Sequence, residues 1–315
     1  MEVDLARVEA ALRSAVRTED EYLTELASHL IVAGGKRLRP VVAMAAAGTR
    51  QDAISDDVVQ GGVSVELVHL GSLYHDDVMD DATTRRTVES VNARWGNLKA
   101  ILAGDFLLAR ASEIAAGLGT EVAGLLAATI ARLCEGQVRE LKDAYVVERT
   151  EDDYLRSIEG KTAALFASSC RIGGIVAGFE RDRIEALTRF GRSYGMAFQV
   201  IDDVLDVVAS SEQLGKPAGH DLVEGVYTLP TLRALQGPSG SELGDLLGHP
   251  LAPGEVDMAL GLIRSDGAVG ASLVDARAYV DEGRIALDDL GSSPVVDAMV
   301  EASDVLVAQI DDFGY

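Results

Sequence analysis

The stretch His75-Asp76-Asp77-Val78-Met79-Asp80-Asp81 places four carboxylates within six residues, with an apolar pair between them. On an α-helix residues four apart share a face, so Asp76 with Asp80 and Asp77 with Asp81 form two adjacent carboxylate rungs, about 5–6 Å apart at Cβ. Such crowding repels unless a cation sits in it. Only hard oxygens are offered, which suits Mg2+, an ion that keeps several waters and completes its shell with substrate phosphates. A second cluster, Asp202-Asp203-Val204-Leu205-Asp206, repeats the spacing at the end of the apolar segment 194–201. Two such faces looking at each other could clamp a diphosphate through shared metals.

Outward from these clusters the periodicity is helical. Ala, Leu and Glu dominate, β-branched runs are short, and no segment alternates with period two. A helix or helix pair is predicted over 4–30, stopped by Gly34-Gly35, and Pro40 opens the next toward Gly48. Further helices are predicted over 55–81, 97–118 and 121–145, from about Thr150 through Lys161 to about Gly173, and over Arg181–Val208. A polar connection, 82–96, carries Arg85-Arg86. Residues 209–227 are polar and Gly-containing, long enough for a functional lid, and Pro230 starts another helix. With no domain boundary or fixed repeat, the pattern predicts one all-α domain over 1–315, of about a dozen helices.

The 315 residues are 48% hydrophobic, enough for a sizeable core, and carry a formal charge of -23. That charge argues against nucleic acid and against an anionic membrane surface as partners. Cys134 and Cys170 lack metal-ligand spacing and fit buried thiols in a reducing compartment. The first residues are charged, without an apolar leader, and no run approaches the ~18 apolar residues of a membrane span. A soluble, cytoplasmic protein is expected.

Against this acidic background the basic clusters stand out. Lys36, Arg37 and Arg39 follow a Gly pair at a helix N-terminus, where free N–H groups and the dipole favour an anion. Arg85 and Arg86 follow the first Asp cluster, and Lys161-Thr162 and Lys216 lie in the second half. Cations gathered beside two Asp clusters suit multiply charged phosphates that metals alone would not neutralise.

The run from Glu66 through Asp80, then Arg85-Arg86, then Phe198-Gln199-Val200-Ile201-Asp202-Asp203-Val204-Leu205-Asp206, resembles the trans-polyprenyl diphosphate synthases. So do Gly34-Gly35-Lys36-Arg37-Leu38-Arg39-Pro40, Gly104-Asp105, Gly160-Lys161-Thr162, and Gly215-Lys216 followed by Gly219-His220-Asp221-Leu222. These motifs span roughly residues 30 to 232 in the family's order. The resemblance implies a helical bundle of the isoprenoid synthase type with a central substrate cavity. It implies a prenyltransferase that condenses an allylic diphosphate primer with successive isopentenyl diphosphates and releases diphosphate. By the same resemblance Asp76 and Asp80 hold two Mg2+ and Asp202 a third, with Asp77, Asp203 and Asp206 binding metal waters or orienting ligands. Arg85, Lys161 and Lys216 take the allylic diphosphate, and Lys36, Arg39, His69 and Arg86 that of isopentenyl diphosphate. Thr162 and Gln199, with Lys161, serve the allylic cation. A homodimer is expected on the same ground.

Product length follows from the helix that precedes Asp76. In this family an aromatic residue four or five positions before the first Asp stops growth early, and those positions are Ser72 and Gly71, with Val68 one turn below. A helical turn rises 5.4 Å, roughly one extended isoprene unit, so turns without a plug imply additional units. A long-chain product, hexaprenyl to decaprenyl diphosphate for quinone side chains, is expected. The alternatives are a geranylgeranyl diphosphate synthase, a class I terpene cyclase, and a non-catalytic subunit of another synthase. Two departures stand out: Val226 occupies a usual lysine position, and Thr87 a frequent glycine, read as minor.

Overall fold

Helix-favouring residues at helical period fold as helices almost throughout the computed structural model, which describes residues 2–50, 53–210, 218–265, 267–310 and 313. In chain order they are α1 (Glu2–Ala15), α2 (Glu21–Val32), α3 (Leu38–Gly48), α4 (Asp56–Met79), α5 (Val91–Trp95), α6 (Asn97–Gly117), α7 (Thr120–Lys142), α8 (Glu151–Ile158), α9 (Ala164–Val176) and α10 (Arg181–Val208). After them come α11 (His220–Val223), α12 (Leu229–Leu235), α13 (Gly240–Leu246), α14 (Pro253–Ser265), α15 (Ala268–Asp288) and α16 (Pro294–Ala308). The fold is all-α; the strands among the described residues are Thr84–Arg85 and Val88–Glu89, one small antiparallel hairpin. By internal contacts the chain divides into two compact units, Met1–Ile130 with Leu165–Gly191 and Ser293–Val296, and Ala131–Ala164 with Arg192–Ser292 and Asp297–Tyr315.

In the first unit the pair α1 and α2 is separated at Asp20, whose carboxylate accepts from the amides of Tyr22 and Leu23 and so starts α2. Helix α4 begins at Ser55, whose hydroxyl accepts from the Val58 amide at 3.3 Å, and it packs against α1, α3 and α6. It is buried on all sides from Gly61 to Val68. Its contact with α6 is made through glycine. A Cβ on Gly71 would stand 3.1 Å from the Gly104 carbonyl oxygen, and one on Gly104 would stand 2.4 Å from His75 Nε2. A side chain at 71 would press on the α6 backbone, so the small residue there also serves this helix crossing. Tyr74, fully buried, ties α4 to α2 by donating to the Leu26 carbonyl at 2.7 Å.

The hairpin lies in the connection predicted only as polar chain. Its two turn residues, Arg86 and Thr87, have φ of 52° and 65°, the left-handed conformation that a two-residue hairpin demands. A β-branched residue is disfavoured there, so the absence of glycine at position 87 is a backbone strain and not a minor exchange.

In the second unit, the helix expected to run without a break into α9 contains a π-helical turn, Glu159–Ala163. Gly136 of α7 meets this turn backbone to backbone: a Cβ on Gly136 would stand 2.5 Å from the Lys161 nitrogen. Helix α7 ends at Lys142, before the predicted 145, and Tyr145 follows in the left-handed region at φ 61°. Its amide donates to the Gly225 carbonyl at 2.8 Å and its hydroxyl to the Val223 carbonyl at 3.0 Å. The end of the segment predicted as a lid is thus short helix α11 pinned to Tyr145, while its residues 211–217 lie outside the described residues.

Helix α9 packs on α3 so closely that a Cβ on Gly173 would stand 2.1 Å from the Ala43 carbonyl oxygen. Because backbone cannot yield as a side-chain tip can, Gly173→Ala is expected to cost about 1–3 kcal/mol. A lower urea midpoint at unchanged m-value would show it.

Candidate active site

Four of the basic or imidazole side chains singled out in the sequence, Lys36, Arg39, His69 and Arg86, line one cavity of about 310 Å³ together with Arg37, Glu66 and Gly35. Arg37 opens α3 in the left-handed conformation, at φ 50°. Its buried guanidinium donates to Glu9 Oε1 at 2.5 Å, Glu66 Oε1 at 3.1 Å and the Ile31 carbonyl at 3.0 Å. A guanidinium so enclosed holds the wall and leaves ligand contact to its neighbours. Arg86 donates to the carbonyls of Leu30 and Gly34. Its guanidinium lies against Gly35, where a φ of 148° favours glycine and a Cβ would stand 2.8 Å from Nη1. Arg39 lies 4.7 Å over the Phe166 ring. His69 is held well below its ordinary pKa by burial and then by the positive charges of Arg39, Arg86, Arg85 and Arg37. At neutral pH it is an uncharged imidazole among cations, able to donate one hydrogen bond.

The first carboxylate cluster sits where α4 ends. The Asp80 amide still donates to the Asp76 carbonyl at 2.9 Å, so Asp76 and Asp80 keep the helical rung. The predicted second rung does not form, because Asp81 turns left-handed at φ 48° and the Ala82 amide closes back on the Asp77 carbonyl at 2.9 Å. Asp76 is half-buried and Asp80 exposed, whereas Asp77 is fully buried. Asp77 Oδ1 accepts from Arg85 Nε at 2.7 Å and Oδ2 meets no hydrogen-bond donor among the described residues. Burial raises the Asp77 pKa, opposed by Arg85 and then Arg86. The sequence assigned these two residues to separate tasks, and the structure joins them to each other. His75 lies 3.4 Å from Asp105 and 3.2 Å from the Ile101 carbonyl, linking α4 to α6.

In the second unit Asp202 is exposed, while Asp203 and Asp206 are buried. Asp203 accepts from Tyr154 OH at 2.5 Å and from Gln199 Nε2 at 2.8 Å. Asp206 takes the Gly219 amide on its carbonyl at 2.9 Å and the Asp221 amide on Oδ2 at 3.1 Å, which fixes the start of α11. The π-helical turn carries both Lys161 and Thr162. Lys161 Nζ donates to Glu140 Oε1 at 2.6 Å, and Thr162 Oγ1 to Gln199 Oε1 at 2.7 Å. Lys216 lies outside the described residues. Of the three positions tied to product length, Val68 is buried, Gly71 packs against Gly104, and Ser72 is half-buried with its hydroxyl on the His69 carbonyl at 2.9 Å.

Sequence reasoning passed over Glu66 as a member of the cavity, and Tyr154 and Glu140 altogether. For Glu66 a signal existed: it is the one acidic residue between Asp57 and Asp76, inside an apolar run. Nothing local marks Tyr154 or Glu140, whose partners lie 49 and 21 residues away.

A family model described as polyprenyl synthetase matches residues 20–262. The chain is 38% identical over 310 residues to nonaprenyl diphosphate synthase of Mycobacterium tuberculosis, covering 97% of this chain and 92% of that protein. It is 40% identical over 288 residues to heptaprenyl diphosphate synthase component 2 of Geobacillus stearothermophilus, covering 91% and 90%. Among solved structures it is similar to geranylgeranyl pyrophosphate synthase from Corynebacterium glutamicum complexed with calcium and isoprenyl diphosphate. The TM-score is 0.86 and the identity 38%, covering 98% of this chain and 96% of that one.

Burial pushes the Asp203 pKa up to about 7, against the hydrogen bonds from Tyr154 and Gln199, while an unfolded Asp titrates near about 4. The native state therefore binds the extra proton between those values. The stability it contributes is complete below about pH 4 and is lost as pH rises through about 7. In metal-free protein, Asp203→Asn is expected to remove that decline; urea unfolding of both proteins from pH 4 to pH 7 checks it, and an unchanged slope would refute it.

Proposed function

This chain belongs to the polyprenyl synthetase family, and on that premise we propose how its residues divide the work of a trans-prenyltransferase and how long a product they make. It is a prenyl diphosphate synthase. The observation that carries the proposal is the convergence of Lys36, Arg39, His69 and Arg86 on one cavity of about 310 Å³, a second anion site apart from the carboxylates. There the three cations and the neutral imidazole hold the diphosphate of isopentenyl diphosphate. A terpene cyclase has no second diphosphate to hold.

Asp76, Asp80 and Asp202 are the residues that hold Mg2+, three ions per site in this reading. The donor set fits. Mg2+ is bound through one or two carboxylates plus substrate phosphates, and Asp76 and Asp80 offer hard oxygens from one helical rung. The structure of the C. glutamicum relative, with calcium and isoprenyl diphosphate, supports this pairing of divalent cation and substrate. Bound Mg2+ supplies positive charge for the departing diphosphate. Arg85 and Lys161, with Lys216, orient the allylic diphosphate. Cleavage leaves positive charge on the allylic carbon, and the oxygens of Thr162 and Gln199 face that charge with their lone pairs. The alkene of isopentenyl diphosphate attacks, and the released diphosphate removes the proton, so no side chain is needed as general base.

The product is proposed to be long-chain, hexaprenyl to decaprenyl. Because Gly71 also lies close against α6 at the crossing, Ser72 carries the argument: it is small, half-buried and one residue nearer the first Asp. The heptaprenyl and nonaprenyl relatives support this reading, and the geranylgeranyl relative keeps the shorter product as its rival. With farnesyl diphosphate, excess isopentenyl diphosphate and Mg2+, products of six or more isoprene units are expected, and products stopping at geranylgeranyl diphosphate would refute the claim. Ser72→Phe is expected to shorten them. Asp76→Ala and Asp202→Ala are each expected to lower kcat by roughly 10²-fold or more. Turnover only after adding another subunit would favour the non-catalytic reading, which the component 2 relative brings to mind.

The enzyme is proposed to be a cytoplasmic homodimer. No helix among the described residues is long and apolar enough to cross a membrane. Helix α6 exposes Leu98 (80%), Ile101 and Leu102 (64%) over less than two turns, an apolar strip that calls for a cover. Light scattering is expected to give twice the 33.3 kDa chain mass, and Leu98→Glu with Leu102→Glu to halve it.

A further inference from the structure

Four side chains of the second unit form a directional hydrogen-bond chain. Tyr154 OH donates to Asp203 Oδ2 at 2.5 Å, Gln199 Nε2 donates to Asp203 Oδ1 at 2.8 Å, and Thr162 Oγ1 donates to Gln199 Oε1 at 2.7 Å. Asp203 accepts on both oxygens, from the Tyr154 hydroxyl on one and from the amide nitrogen of Gln199 on the other. The far end of that amide is then its oxygen, which draws the single hydrogen of Thr162. What remains at the Thr162 end is two oxygens with lone pairs and no hydrogens left to offer. With the amide turned over, its N–H2 would occupy that end and present positive hydrogens to a cationic carbon.

We propose that Tyr154 is a positioning residue for the condensation, acting through Asp203 to set which way round the Gln199 amide stands, and that Asp203 orients this amide and is not a metal ligand. The proposal rests on the prenyltransferase reading above. Both Asp203 oxygens already hold a donor, and the residue is 3% exposed, whereas its neighbour Asp202 is exposed. Tyr154 is 1% exposed, and the buried guanidinium of Arg149 lies 5.6 Å from its ring centroid. Asp203 and Gln199 are four residues apart on α10, so the helix sets their pairing. Tyr154 and Thr162 come from α8 and the π-helical turn, so the chain holds only where those two segments meet α10 in register.

A double-mutant cycle with calorimetry tests this. Tyr154→Phe keeps the ring and its packing and removes one donor. It is expected to lower kcat roughly tenfold or more, with KM for both substrates within about twofold. In a Gln199→Leu background there is no amide left to orient, so adding Tyr154→Phe is expected to change kcat by less than about twofold. Effects that multiply in the double variant would overturn the positioning role. Asp203→Asn is expected to bind Mg2+ with inorganic diphosphate within about twofold of the parent, while Asp202→Ala loses tenfold or more; a parallel loss in both variants would make Asp203 a metal ligand and refute that half. Should Asp203→Asn fail to fold, the cycle alone decides. Failure of the parent enzyme to elongate any prenyl diphosphate would instead sink the prenyltransferase reading, a result distinct from either.

Discussion

A carboxylate can be buried only against a donor strong enough to replace water, and the first unit depends on one such pairing, Asp77 with Arg85. Asp77 lies in the last turn of α4 and Arg85 ends the first strand of the hairpin that follows, so their 2.7 Å contact fixes how the chain leaves the helix. On one side of it Asp76 and Asp80 stand on the helical rung. On the other the hairpin turn delivers Arg86 across Gly35 into the basic cavity. The acidic face and the basic cavity thus share a hinge that neither metal nor substrate supplies. The same logic recurs at Asp203, whose burial is matched by Tyr154 and Gln199. In both clusters the second carboxylate faces inward, beside a first one, Asp76 or Asp202, that is more exposed.

The basic cavity shows a second economy of charge. Four cations, Lys36, Arg37, Arg39 and Arg86, line about 310 Å³ and would repel one another if none were offset. Glu66 and Glu9 hold Arg37, and His69 stays neutral. The cavity wall is thereby rigid before any ligand enters, so less ordering remains to be done on binding.

The all-α fold was legible because its signals are local: Ala, Leu and Glu at period 3.6, with Gly34-Gly35 and Pro40 as punctuation. The residues of the basic cavity were legible because Lys36, Arg39, His69 and Arg86 stand in recognisable motifs. What stayed hidden depends on three-dimensional neighbours. Gly71 looked like open space for a growing chain, yet a side chain there would meet the carbonyl of Gly104, thirty-three residues on. The hairpin at Arg86-Thr87 escaped because its turn lacks the Asn or Gly that marks such turns. Asp77 and Asp81 looked equivalent by spacing until the end of α4 separated them.

The π-helical turn at Glu159–Ala163 has a consequence for insertion and deletion. Consecutive residues on an α-helix diverge by about 100°, so Lys161 and Thr162 would be carried to different faces by regular winding. One extra residue in the turn changes that divergence and lets the pair reach Glu140 and Gln199 separately. A gain or loss of one residue in the turn would carry Lys161 and Thr162 away from Glu140 and Gln199 together, whereas a substitution alters one contact at a time.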